Sequence, residues 1–309
     1  MGESDLAPIC LFAFNRPQEL AKTIEALQKN YLAQQSQLFV FVDGPRTALD
    51  LPMVQEVHSI VKGITGFKSI SIHSAEVNKG LASSVISGVN SVLEMNDSVI
   101  VLEDDLVTSP NFLDFINQGL QFYKNNSRVF SISGWSLNLS ALKNWEEDFY
   151  AHRRMSSWGW GMWKDRWERI NWDKSYYAKF QHNKSVQRNF GQISSDMPQM
   201  LLNYLNGKNS SWAIRACFAQ FELDMYTMAP SKTKVNNIGF GGNATHTKTR
   251  NRFDQKIDVS QRRVFTFHNH LRVSESIARQ YRLKYSIFVR AYSKIKGIVL
   301  AFFKSNLFP

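Results

Sequence analysis

The stretch 98-SVIVLEDDLVTSPNFLDF-115 sets three adjacent carboxylates, Glu103, Asp104 and Asp105, directly behind an apolar and largely β-branched run. Residues 98–104 read as a buried strand, and Ser109-Pro110 then opens a helix with Ser109 as its cap. Three carboxylates side by side repel one another in water. Either a cation lies between them, or they are a solvated polar stop at a strand end.

The chain on either side favours the first reading. Continuous or alternating apolar runs at 8–14, 37–43, 68–75 and 128–135 predict further strands. Helical periodicity follows the first four strands in turn, at 16–30, 51–64, 79–95 and from Pro110 onward. Such β-α steps predict an α/β fold whose mostly parallel sheet is covered by helices on both faces. Ligands of such sheets bind outside the carboxyl ends of the strands, at a topological switch point. Arg16, Asp43, the Asn78-Lys79-Gly80 turn and the three acids all fall at those ends.

The second half is less regular. Five tryptophans crowd into 156-SSWGWGMWKDRWERINWD-173, a helix is predicted over 210–223 and a strand over 225–230, and 236-NNIGFGGNATHT-247 is glycine-rich. There is no internal repeat and no low-complexity linker. We divide the chain into a first half (1–135), a second half (136–270) and a basic tail (271–309), with the two halves forming one continuous unit.

At 309 residues, 43% of them hydrophobic and 13% aromatic, the chain can bury a large core. Cys10 and Cys217 lie far apart in apolar surroundings, so two buried thiols in a reducing compartment are expected rather than a disulfide. No secretory leader and no spanning helix is read from the sequence. The net charge of +11 is uneven: from Ile277 to Pro309 there are seven Lys or Arg and no acid. Tyr281, Tyr285, Phe288, Tyr292, Ile295, Val299 and Phe302 recur there at helical spacing. That pattern predicts a basic amphipathic helix on an anionic membrane surface, in preference to a helix docked on the core. The expected location is cytoplasmic, on the inner face of the membrane. No motif points to nucleic acid.

Three oxygen-rich side chains suit a hard divalent cation, Mg²⁺ or Mn²⁺, which would neutralise a diphosphate. Asp43 reads either as an acceptor for a base N–H or as a turn aspartate. Arg16 could meet phosphate or a base, and Lys79-Gly80 opens a helix whose N-terminus favours an anion. No Walker loop or dinucleotide fingerprint follows any strand. The tryptophans read as a sugar platform (Trp158, Trp160) or as core (Trp163, Trp167).

CLFAFNRP, FVDGP, NKGLASSV, VIVLEDDLVTSPNFLDF and VFSISGW, in this order, resemble GT-A-fold (Rossmann-like) glycosyltransferases of the N-acetylglucosaminyltransferase I type, with Glu-Asp-Asp in place of Asp-x-Asp. SSWGWGMW, SWAIR and the glycine-rich segment are similar to a bacterial surface-polysaccharide branch. The resemblance spans about residues 8–247. It implies a metal-dependent, inverting transfer of a sugar from a nucleotide-sugar, UDP favoured, to a glycan or lipid-linked saccharide. Arg16, Asp43 and the loop Asn78, Lys79, Gly80 would lie at the nucleotide. Asp105 would hold the metal, Asp104 would sit by the ribose and Glu103 by the donor sugar, and a loop ending at His246 would close over the diphosphate. Trp158, Trp160 and Trp212 would meet the acceptor. The family's acidic base is missing from SWAIR, where Ala213 and Ile214 stand, which leaves Asp196 and Asp165 as stand-ins. A catalytically inactive scaffold and a sugar-phosphate nucleotidylyltransferase are the alternatives.

Overall fold

Ile9, Leu11 and Ala13 leave one face of the first strand, Cys10 and Phe12 leave the other, and all five are buried. A strand buried on both faces belongs in the middle of a helix-covered sheet, and the computed structural model, which describes residues 6–240, 253–271 and 273–292, places it there. The first part of the chain alternates as read: β1 (Ile9–Ala13), α1 (Pro17–Gln28), β2 (Gln37–Val42), α2 (Leu51–Lys62), β3 (Ser69–Ser74), α3 (Leu81–Leu93) and β4 (Ser98–Glu103). A short strand β5 (Leu106–Thr108), α4 (Phe112–Tyr123) and β6 (Val129–Ser133) complete it. Then come β7 (Phe149–His152), β8 (Trp160–Trp163), α5 (Lys164–Trp167), α6 (Lys184–Ile193), α7 (Met197–Leu205), α8 (Trp212–Glu222), β9 (Tyr226–Pro230), β10 (Val235–Asn237) and α9 (Glu275–Lys284).

Eight strands form one sheet in the order β3-β2-β1-β4-β8-β6-β9-β7. β3, β2, β1 and β4 run parallel, as do β6 and β9, whereas β8 is antiparallel to both its neighbours and β7 is antiparallel to β9. The strand order reverses at β1, so the switch point lies between β1 and β4. One core packs α1, α2, α4 and α9 on one face; the other packs α3 and α5 to α8 on the opposite face.

Three expectations are corrected here. Asn111, not Ser109, caps α4, because β5 occupies the chain first; the Ser109 hydroxyl instead donates to Asn111 Oδ1 at 2.8 Å. The tryptophan segment supplies a central strand, β8, which its glycines and polar flanks concealed. The tail also begins differently: Ile277, Tyr281 and Tyr285 on or just after α9 are buried in the first core rather than presented to a membrane. The apolar stripe finds protein before it can find lipid. Ile287, Phe288 and Tyr292 beyond it are exposed, while Ile295, Val299, Phe302 and His246 lie outside the described residues.

The segment after Phe253 is pinned along α4. The ammonium of Lys234 pairs with Asp258, and both side chains are about 5% exposed or less. Asp258 also accepts from Asn111 Nδ2 and Ser260 N, and the hydrogen-bonded Lys234 partner holds its carboxyl down at about 2 against the cost of burial. Removing one member of such a pair strands a buried charge. Lys234→Met should therefore lower unfolding free energy by about 3–5 kcal/mol, and Lys234→Met with Asp258→Leu should recover much of that loss. Urea unfolding of the two variants measures both; equal losses would show that the ion pair is not what pins this segment.

Candidate functional site

The three acids continue the β1–β4 ladder past its end. Glu103 sits opposite Phe12 as the last paired residue of β4. One step on, Asp104 Oδ2 accepts from the amide of Phe14 at 3.2 Å, and its carbonyl accepts from Thr23 Oγ1 at 2.8 Å. Asp105 Oδ2 meets Arg16 Nη1 at 2.9 Å, and Oδ1 accepts from Asn237 Nδ2 at 3.0 Å. Asp104 and Asp105 are buried.

Among the described residues one guanidinium, Arg16, meets these three carboxylates, which does not balance their charge. Burial and the charges of Asp105 and Asp104 push Glu103 well up. Burial and Asp105 raise Asp104 to about 7, against the pull of Arg16 and the Phe14 amide. Burial also raises Asp105, despite Arg16 and Asn237. The donor set is hard, oxygen-only and short of positive charge, which fits a divalent cation. Among the described residues no three ligating side chains converge on one point. An ion would thus take few ligands from the described residues, and Asp105 is shared with Arg16.

A strap crosses this site. β10 pairs antiparallel with β5, Asn237 opposite Leu106, and the amide of Ile238 donates to the Asp105 carbonyl at 2.8 Å. Gly239 then runs so close that a Cβ there would overlap Asp105 Oδ2 and stand 2.7 Å from Arg16 Nη1. Only glycine lets the backbone cover the ion pair. The next residue, Phe240, packs edge-on against Trp158 at 5.9 Å between ring centroids.

On the other side of β1, Asp43 is committed to the turn before α3. Its Oδ1 accepts from the amides of Gly44 (3.0 Å) and Lys79 (2.8 Å), and Oδ2 from Asn78 Nδ2 (3.1 Å) and the Gly80 amide (2.9 Å). Gly80 makes this possible with φ +79 as the N-cap of α3. The turn reading of Asp43 is thus the one realised, and the Lys79 and Gly80 amides expected to meet an anion already meet this carboxylate. Asp43 and Lys79 also border a cleft of about 460 Å³ with Phe41, His73, Ser84 and Ser87; the stacked Phe41 and His73 rings, 4.9 Å apart, had no signal in the sequence beyond strand alternation.

Other expected residues lie elsewhere. Asp196 is bound by Arg154 through both oxygens (2.7 and 3.1 Å) and by Ser194 Oγ (2.5 Å), and the Arg154 charge holds its carboxyl below the usual range in spite of burial. It is locked as an anion and poorly suited to take a proton. Asp165 follows β8, whose Trp163 pairs with Ser98 at the start of β4; it is therefore at the opposite edge of the sheet from Glu103, paired with Arg166. Trp160 and Trp212 are buried and packed together at 5.2 Å, so neither is a platform for sugar. Trp158 remains at the correct edge and half-exposed.

Trp158 is one wall of a cavity of about 240 Å³ that also meets Arg154, Ala213, Ile214 and, from α9's end, Tyr281 and Tyr285. The two positions of SWAIR that lack acids thus line a cavity whose Trp158 wall packs on Phe240, the residue after Gly239. Asn237, Gly239 and Phe240 were visible in sequence only as part of a glycine-rich run. Arg154 and α9 became site neighbours through tertiary packing alone.

No known protein-family model matches the chain. Among solved structures, a mannosyltransferase from Pyrobaculum calidifontis in complex with GDP-Man and Mn²⁺ aligns at 8% identity and TM-score 0.35, over 55% of this chain and 48% of its own, so the chain spans just under half of that protein. The galactosyltransferase LgtC, in complex with donor and acceptor sugar analogs, aligns at 9% identity and TM-score 0.34 over 69% of each chain. A UDP-glucose pyrophosphorylase complexed with UDP-glucose aligns at 12% identity and TM-score 0.36, over 73% of this chain and 90% of its own. Superpositions this loose transfer neither residues nor activity.

The raised Asp104 carboxyl has a measurable consequence. A folded-state value near 7 against 3.8 means that the folded protein holds this proton more tightly than the unfolded chain. Its stabilising contribution is then complete at low pH and lost as pH rises from about 4 through about 7. In chelator, melting temperature should fall across that window, Asp104→Asn should flatten the fall, and millimolar Mn²⁺ should restore stability at the alkaline end. A profile flat in chelator would remove the charge imbalance from this account.

Proposed function

We propose that this chain is a glycosyltransferase that moves a sugar from a nucleotide-sugar donor to a glycan acceptor, with a divalent cation, Mn²⁺ or Mg²⁺. The observation that carries it is the under-neutralised acid row at the switch point, covered by the Asn237–Phe240 strap and flanked by a cleft on one side and an aromatic cavity on the other. Asp105, with Asp104 beside it, would hold the cation, which supplies charge neutralisation for a departing diphosphate. Arg16 swings between Asp105 and a phosphate oxygen, so the guanidinium takes up the donor's charge when it leaves the carboxylate. Glu103, at the rim of the row, accepts from a donor-sugar hydroxyl, and Trp158 orients the acceptor. The strap keeps water from the reacting carbon through Gly239 and Phe240.

The acceptor we favour is a lipid-linked saccharide of surface-polysaccharide assembly, met at the inner face of a membrane. Among the described residues no helix is long and apolar enough to cross a membrane. Ile287, Phe288 and Tyr292 are exposed next to Arg290, which supports a peripheral contact with anionic lipid. A binding protein without turnover is the second reading, favoured by the absence of a carboxylate among the described residues lining the 240 Å³ cavity.

A turnover screen over nucleotide-sugars with Mn²⁺ separates the two. Asp105→Ala should lower any activity at least about a hundredfold; nucleotide-sugar binding without turnover would support the second reading, and no binding at all would overturn both. Truncation after residue 285 keeps the buried Tyr281 and Tyr285, and should leave a folded protein that no longer sediments with phosphatidylserine vesicles. Undiminished sedimentation would remove the tail from the membrane contact.

A further inference from the structure

The 240 Å³ cavity beside Trp158 has a composition that narrows what it can hold. Its volume is below the roughly 300–1,000 Å³ usual for drug-sized ligands, so it suits a single ring. The cation among its described lining residues, Arg154, is already neutralised by Asp196 and lies over the Tyr285 ring at 3.9 Å, so it offers little attraction for an anionic ligand. The remaining walls are apolar or aromatic, with Met155, Ala213, Ile214 and Phe253 among them, while Ser156, Ser157 and Ser211 provide hydroxyls.

A second observation points to an occupant. Trp135, which lines the same cavity and is only 5% exposed, carries an indole N–H with no acceptor among the described residues. Buried donors of this kind are rarely left unmade, and leaving one so costs roughly 1–3 kcal/mol. Trp135 also packs edge-on against Trp158 at 4.9 Å, which joins the cavity to Phe240 and the strap over Asp105.

We propose that this cavity is the acceptor subsite for one neutral glycosyl residue bearing a methyl-containing substituent, an acetamido group or a 6-deoxy carbon. The Trp135 indole donates to an oxygen of that residue, the serine hydroxyls meet its ring hydroxyls, and the methyl lies against Ala213, Ile214 and Met155. A fully hydroxylated hexose would leave a hydroxyl against the apolar wall. An anionic sugar gains nothing from Arg154. The inference rests on the glycosyltransferase reading and names its acceptor class. It also explains why Ala213 and Ile214 are apolar where an acid was expected: they shape a pocket.

The test is calorimetry and saturation-transfer NMR of the full chain with the methyl glycosides of N-acetylglucosamine, 6-deoxyglucose and glucose, with a separate UDP titration. The first two should bind about fourfold more tightly than the glucoside, the worth of one buried methyl, with saturation strongest at the methyl protons. Trp135→Phe, which keeps the ring, should weaken them about fivefold, and Ala213→Phe, which fills the space, should abolish binding. Equal affinity for the glucoside, or indifference to both substitutions, overturns the inference. UDP binding with no glycoside binding overturns it alone and leaves the donor reading standing. Glycoside binding of the expected pattern without UDP binding supports the cavity and overturns uridine as the donor's base.

Discussion

The arrangement at the sheet edge depends on one imbalance: three carboxylates gather at the end of β4 and, among the described residues, one guanidinium, Arg16, meets them. The ladder between β1 and β4 forces Glu103 to the last paired position and carries Asp104 to the Phe14 amide. Asp105 is then left to Arg16 and Asn237. All three carboxyls respond by holding their protons more tightly than in water. Under the proposed reaction, a divalent cation and the diphosphate it accompanies would supply the charge that the described residues leave unmatched.

The surrounding structure can be understood as support for that imbalance. Asp43 ties the turn before α3 with four hydrogen bonds, so the neighbouring strand end is rigid where a ligand would lie. The β5–β10 ribbon brings Asn237 to Asp105 and lets Gly239 pass over the ion pair at a distance no other residue type allows. The buried Lys234–Asp258 pair anchors the chain that follows, and α9 closes the cavity beside Trp158 from the far end of the sequence. The end of α9, through Tyr281 and Tyr285, is therefore part of the cavity's wall.

Period-2 and period-3.6 patterns placed β1 to β4, α1 to α4, β6, α8 and β9 to within a few residues, because each of them except the largely exposed edge strand β3 buries its own apolar face whatever it packs on. β7 and β8 were not legible. β8 is a glycine-interrupted tryptophan segment whose strand character comes from insertion between β4 and β6, which only long-range pairing supplies. Asp196 and Asp165 show the same limit from the side of chemistry: a carboxylate's type is visible in sequence, but its partner and its edge of the sheet are not.

The sequence by itself determined that four strand ends would bring Arg16, Asp43, the Asn78–Gly80 turn and the acid triplet to one edge, since a parallel sheet with short connections allows little else. Tertiary structure alone decided how each group is used. It spent Asp43 on a turn, placed Arg16 on Asp105, buried Trp160 and Trp212, and gathered Trp135, Trp158, Ala213 and Tyr285 around one cavity. The reason is physical: periodicity encodes which face a residue takes, whereas hydrogen-bond partners and enclosed space arise between segments that are distant in the chain.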